Sequence, residues 1–256
     1  MTARTIPGTR SHSPATSRMT TRLFTSALFA GLIAGLIAVL LQFLLMEPLI
    51  LEGEAYETGA KMHFKGVLVL SEETAPAAGA EPLTHDDAPE NLWRRYGLAF
   101  AADFIVFVAW GLLMVAGFAL VERFGHRVTV KEGLLWGIAG YVAVQLSPAL
   151  GLPPELPGTP AAALEARQIW WVVTAITTAI GLAFLGYGGR LLYWAIGVAL
   201  LIAPHLIPAP RLDGYGGLAP PELSGEFVAH SLAVSLVVWV CLGLAAGYFW
   251  NRHRTA

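Results

Sequence analysis

Residues 23–46 read LFTSALFAGLIAGLIAVLLQFLLM, and Gln42 is the only strongly polar side chain deep in the run. A helix needs about 20 residues to cross the hydrocarbon of a bilayer, and this run supplies them without a charge. Five further apolar segments follow, at about 97–121, 133–150, 169–187, 191–203 and 227–250. Their apolar residues fall in blocks rather than in alternating or amphipathic patterns. Segments 97–121 and 227–250 are long, whereas 133–150 and 191–203 are short and proline-bounded. The expected fold is all-α: a polytopic membrane protein with a bundle of about six transmembrane helices. Five is the alternative, with one short segment re-entrant or tilted.

Composition agrees. The chain of 256 residues is 55% hydrophobic and 13% charged, against about 25% charged in soluble domains. Mean hydropathy is +0.60. A net charge of −2 gives no basic field for nucleic acid. Cys241 is the single cysteine, so one chain can form neither a disulfide nor a Cys₂ or Cys₄ metal site, and it reads as a packing residue. The sequence contains no GxxxxGK[ST] loop, HExxH helix or GxSxG elbow, which argues against nucleotide-driven, zincin or hydrolase chemistry. The expectation is a non-enzyme with no permanently bound cofactor. GYGG occurs at 186–189 and again at 214–217, and both copies read as turns.

The chain divides into a polar tail (1–21), one membrane domain (22–251) and a short C-terminal tail (252–256). The polarity of the first eighteen residues places a possible translation start at Met19. LLMEP offers no small-x-small cleavage pattern, so the first span reads as an uncleaved anchor. With the N-terminus inside, the inner segments hold ten Lys and Arg and the outer segments six. That bias puts both termini on the inner, cytoplasmic side. Fifteen acids fall outside and only Glu122 and Glu132 inside, so the outer face attracts cations. Small residues recur four apart at Ala27, Gly31 and Gly35, at Gly133 and Gly137, and at Gly243 and Gly247. This spacing predicts close helix packing within the bundle in preference to dimerisation.

The first outer loop, 47–96, is long and acidic. It opens with EPLILEGEAYE, passes a strand-like KMHFKGVLVL with His63, and continues as an Ala-, Pro- and acid-rich linker with His85, Asp86 and Asp87. The second, GLPPELPGTPAAALEARQIWW, offers a short interfacial helix at ALEARQ and an aromatic belt at Trp170 and Trp171. The third starts at PHLIPAP. Pro204 has no N–H to give the carbonyl of Leu200, so the helix should stop near Ile202 or Ala203.

Imidazoles and carboxylates cluster near this outer level: Glu47 after the first span, Asp103 in the second, His205 after the fifth, and Glu226 and His230 four apart entering the sixth. Such ligands suit borderline divalent cations better than Cu(I). Gln42 and Gln145 read as helix–helix contacts. Asp103 has Arg94 and Arg95 as alternative partners. An N-terminal-turn acid at Glu226 and a rim histidine at His205 are the structural alternatives there.

EPLILEGEAYE, LGLPPELPG before RQIWW, and APHLIPAP with PPEL, in that order, resemble the predicted cobalt transporter subunit CbtA family from about Met19 to Asn251. The resemblance implies cobalt uptake for cobalamin synthesis across a bacterial inner membrane, with a small one-span, His-rich partner, CbtB. Its pattern falls on Glu52, Glu54, Tyr56 and Glu57, on Pro153, Pro154 and Glu155, and on Pro204 and His205. Ile207 or Pro208 stands where the family often has glycine. The reading is therefore a Co²⁺ uptake subunit. His205, Glu54 and Glu57, with Glu52 and Glu226, form an outer capture site, and His230 and Asp103 lie deeper. The alternatives are a non-transporting scaffold or assembly partner of another permease, and a nickel or other divalent-metal transporter.

Overall fold

Every regular element is helical among the described residues, 14–63, 89–214 and 216–252, of the computed structural model. The run that opens the sequence forms α1 (Pro14–Leu41), then a π turn (Gln42–Met46), then α2 (Glu47–Glu57), without a break. After it come α3 (Pro89–Arg123), α4 (Val130–Tyr141), a second π turn (Val142–Leu146) and α5 (Ser147–Ala149). The chain ends with α6 (Leu164–Tyr187), α7 (Leu191–Ile202), a 3₁₀ turn (Ala203–Leu206) and α8 (Pro221–Arg252).

Several boundaries differ from expectation: α1 already begins at Pro14 within the polar tail, and α6 and α8 begin at Leu164 and Pro221, each about five residues early. EPLILEGEAYE is helix rather than the start of a loop, and α3 begins at Pro89 rather than near Gly97. ALEARQ is not a separate interfacial helix: from Leu164 onward it is the first turn of α6. The strand-like 64–70, His85, Asp86 and Asp87 lie outside the described residues. Four helical stretches are long and apolar enough to cross a membrane: Arg18–Glu57, Tyr96–Arg123, Leu164–Tyr187 and Pro221–Arg252. Expected spans 133–150 and 191–203 form the shorter helical stretches 130–149 and Leu191–Leu206.

The π turns explain how proline sits inside two of these rods. Glu47 and Ser147 donate their N–H groups five residues back, to Gln42 and Val142. Pro48 and Pro148 follow directly. A proline ring clashes with the carbonyl four residues earlier and lacks the N–H to bond it. One widened turn just before each proline opens the helix where that clash would fall.

Glycine decides how the rods pack. A Cβ on Gly133 would lie 2.5 Å from the Gly243 carbonyl oxygen and 2.9 Å from Gly247 Cα. One on Gly137 would strike the Trp239 carbonyl. Pairing 133 with 247 and 137 with 243 makes α4 and α8 antiparallel, backbone against backbone. A Cβ on Gly31 would likewise lie 2.5 Å from Val108 Cα between α1 and α3, and one on Gly181 2.8 Å from the Gly197 carbonyl oxygen between α6 and α7. The spacing-of-four reading therefore holds as packing inside one chain. The core buries Val115, Phe118, Leu242 and Trp250 completely among α1, α3, α4 and α8. Leu36, Ile105, Leu113 and Ile169 point outward and exposed, as lipid-facing side chains do.

One end of the bundle is clasped by Arg22. Its Nε donates to the Trp250 carbonyl at 2.9 Å, its guanidinium lies 3.6 Å over the Trp250 ring, and it pairs with Glu122 at 3.5 Å. Trp250 Nε1–H in turn donates to Glu122 at 2.7 Å. The clasp joins α1, α3 and α8. At the same end the α4 N-terminus is capped: the Glu132 carboxylate accepts the Thr129 N–H at 2.9 Å and the Thr129 hydroxyl.

Candidate functional site

The opposite end carries the candidate residues, and a small apolar knot holds it together. Met46 and Leu49 pack with Leu156 of the 150–163 loop and with Leu223 and Phe227 of α8. Gly53 lets the loop sit close, because a Cβ there would be 3.1 Å from Leu156 and 3.3 Å from Pro157. Gly158, at φ +75°, turns the chain beside Glu57. Arg167 pairs with Glu155 at 2.7 Å and fixes the loop to α6.

On α2, Glu52 accepts from Lys61 at 2.9 Å, and this hydrogen bond holds the Lys61 amine above its ordinary range. Glu54 is half-buried and Glu57 exposed. Glu47 is not at a helix exit but within the rod, where it accepts from the Tyr96 hydroxyl at 3.2 Å. On α8, Glu226 is exposed and His230 half-buried. The Nδ1 of His230 is buried and has no hydrogen-bond partner among the described residues. Asp103 on α3 is half-buried and pairs with no described side chain, and Arg94 is exposed. Gln42 is exposed.

His205 sits in the 3₁₀ turn that Pro204 opens, and α7 ends at Ile202 as proline chemistry requires. Ile207 is extended at φ −100°, so its place needs no glycine. His205 Nε2 lies 3.0 Å from Ser147 Oγ, and Ser147 Oγ lies 2.9 Å from Thr178 Oγ1. Ser147 and Thr178 are buried. This chain of polar groups links α5, α6 and the turn after α7 across an otherwise apolar contact. Trp170 is buried rather than free in an interfacial belt: its Nε1–H donates to the Ile207 carbonyl at 3.2 Å, and its ring meets His205 edge-on. Together these residues wall a cleft of about 290 Å³, closed by Leu150, Gly151, Pro208, Ala209 and Arg211.

Sequence reasoning missed Ser147, Thr178, Trp170 and Arg211 as company for His205. The signals were faint: a serine before a proline, and threonines four apart in TAITTAI. Among the described residues, no three His, Cys, Asp or Glu side chains come together in a way that could hold a metal ion. His205, Glu54 and Glu57 therefore share an end of the molecule without forming a cage.

Residues 20–251 match the family described as probable cobalt transporter subunit (CbtA). The chain belongs to the CbtA family. It is thus a membrane-embedded transporter subunit by family and by its four long apolar helices. No curated protein and no solved structure matches it. In this CbtA chain, the stretches that carry the resemblance gather at one end. EPLILEGEAYE lies against LPG and PPEL through the Leu156 and Leu223 knot, and RQIWW lies against APHLIPAP through Trp170.

Proposed function

We propose that this chain is the membrane subunit of a Co²⁺ uptake system serving cobalamin synthesis, set in a bacterial inner membrane with both termini cytoplasmic. The 130–149 and Leu191–Leu206 stretches complete six passes. The first has about 30 Å of helical rise, enough for the hydrocarbon, and it runs antiparallel to α8 as a pass must. The observation that carries the reading is the shared end. The acids of α2, Glu226 and the imidazoles of His205 and His230 all lie where the family-typical stretches meet. Co²⁺ is gathered by Glu54 and Glu57 with Glu52, touches His205 at the neighbouring mouth, and passes to His230 and Asp103. Throughput favours one- or two-ligand stations over a closed cage. The buried, unpartnered Nδ1 of His230 suits such a station. A one-span, His-rich CbtB-like subunit is the partner, handing over or receiving the ion.

The test is radiolabelled cobalt uptake by cells expressing His230→Ala, His205→Ala and the Glu54→Gln, Glu57→Gln pair at equal level. Uptake should fall in each. Uptake at the parental rate in all three removes these residues from the path. The lack of a three-ligand group among the described residues favours one second reading, a non-transporting scaffold for another permease. Purified protein in liposomes that carries neither Co²⁺ nor Ni²⁺ would support the scaffold.

A further inference from the structure

Across from the His205 ring, the cleft carries a fixed positive charge of its own. Arg211 lines it, and no Asp or Glu does among the described residues. Of the acids nearest in sequence, Asp213 is exposed two residues beyond Arg211 and outside the lining, and Glu155 is already paired with Arg167. Arg211 gives one N–H to the Gly151 carbonyl in a long 3.4 Å contact, which leaves most of its five donors uncommitted among the described residues. His205 spends Nε2 on Ser147 and keeps its other ring nitrogen.

The rest of the lining is apolar and preformed. A Cβ on Gly151 would strike the Trp170 ring and lie 2.8 Å from Ala209, so this wall is already closely packed. At its rim, Leu150 and Ile207, with Leu206 beside them, are exposed at the ends of helices α5 and α7. An apolar cleft with a guanidinium in its wall, opening beside exposed apolar side chains, fits an anion attached to hydrocarbon.

We propose that this cleft binds the phosphate of a membrane phospholipid, with Arg211 as the donor and Leu206 and Ile207 against the acyl chains. Guanidinium geometry matches two phosphate oxygens at once. The volume admits a headgroup, while the tails lie on the outer helix faces. The inference does not rest on the cobalt reading: the α2 acids, the second ring nitrogen of His205, and His230 remain a cation path with a lipid in place.

The experiment is native mass spectrometry of the full chain released from nanodiscs of mixed phosphatidylethanolamine and phosphatidylglycerol. The parent should retain one phospholipid, favouring phosphatidylglycerol. Arg211→Gln should lower retention about fivefold, and Arg211→Lys should restore part of it. Thermal unfolding of each variant checks that the fold is kept, and Arg211 lies in an exposed loop where substitution leaves the packing alone. Inorganic phosphate is the second probe. If it fails to displace the lipid, the site reads a headgroup with its chains. If phosphate binds and no lipid is retained, the lipid assignment is overturned. Equal lipid retention by the parent and Arg211→Gln overturns it as well.

Discussion

At the scale of single residues, polar groups in this chain matter by what already holds them. Glu132 is the clearest case. Hydrogen bonds from the Thr129 hydroxyl and backbone hold its carboxyl below the ordinary glutamate value near 4.5. A lowered folded value means the cap contributes fully above the ordinary value and is lost as pH falls through the lowered one. Amide-exchange protection in the first turn of α4 should therefore drop in acid in the parent and stay flat in Glu132→Gln. Thr129→Ala should cost about 1 kcal/mol at neutral pH. His205 illustrates the opposite limit of sequence reading. Its helix-ending proline was legible because Pro204 removes a donor wherever it stands. Its partner Ser147 was not, because 58 residues separate them and nothing local marks the pair.

At the scale of elements, close packing was written in glycine spacing, but which helices pair, α4 with α8, was not. Gly137→Leu should force the two backbones apart, since even a Cβ there meets the Trp239 carbonyl. Overpacking of this kind costs about 1–3 kcal/mol. Gly186→Ala should be neutral or slightly stabilising, because a Cβ there has open space. Thermal unfolding in one detergent ranks the two. What the elements hid was continuity. EPLILEGEAYE looks like a loop because proline and four acids follow an apolar run. The π turn at Gln42–Met46 lets the rod accept Pro48 and carry on for eleven residues of α2. A hydrogen bond five residues back leaves no pattern in side-chain polarity, so neither π turn was visible beforehand.

At the scale of the whole molecule, charge is divided between the two ends, with acids on α2 at one and the Arg22 clasp at the other. If the acidic end gathers Co²⁺ by its field, uptake at low metal should fall as ionic strength rises from about 10 to 150 mM, where the screening length shrinks from about 30 to 8 Å. Saturating metal should erase the difference, and Glu54→Gln with Glu57→Gln should flatten it. The clasp has a consequence in time. Arg22 and Trp250 stand 228 residues apart, so α1 must wait for α8 before its guanidinium meets the Trp250 ring and carbonyl. Until α8 is made, α1 also presents its alanine face without that neighbour. A truncation before Trp250 should insert normally yet be cleared rapidly by membrane proteases, and a pulse-chase of the truncated and parent chains would time the difference.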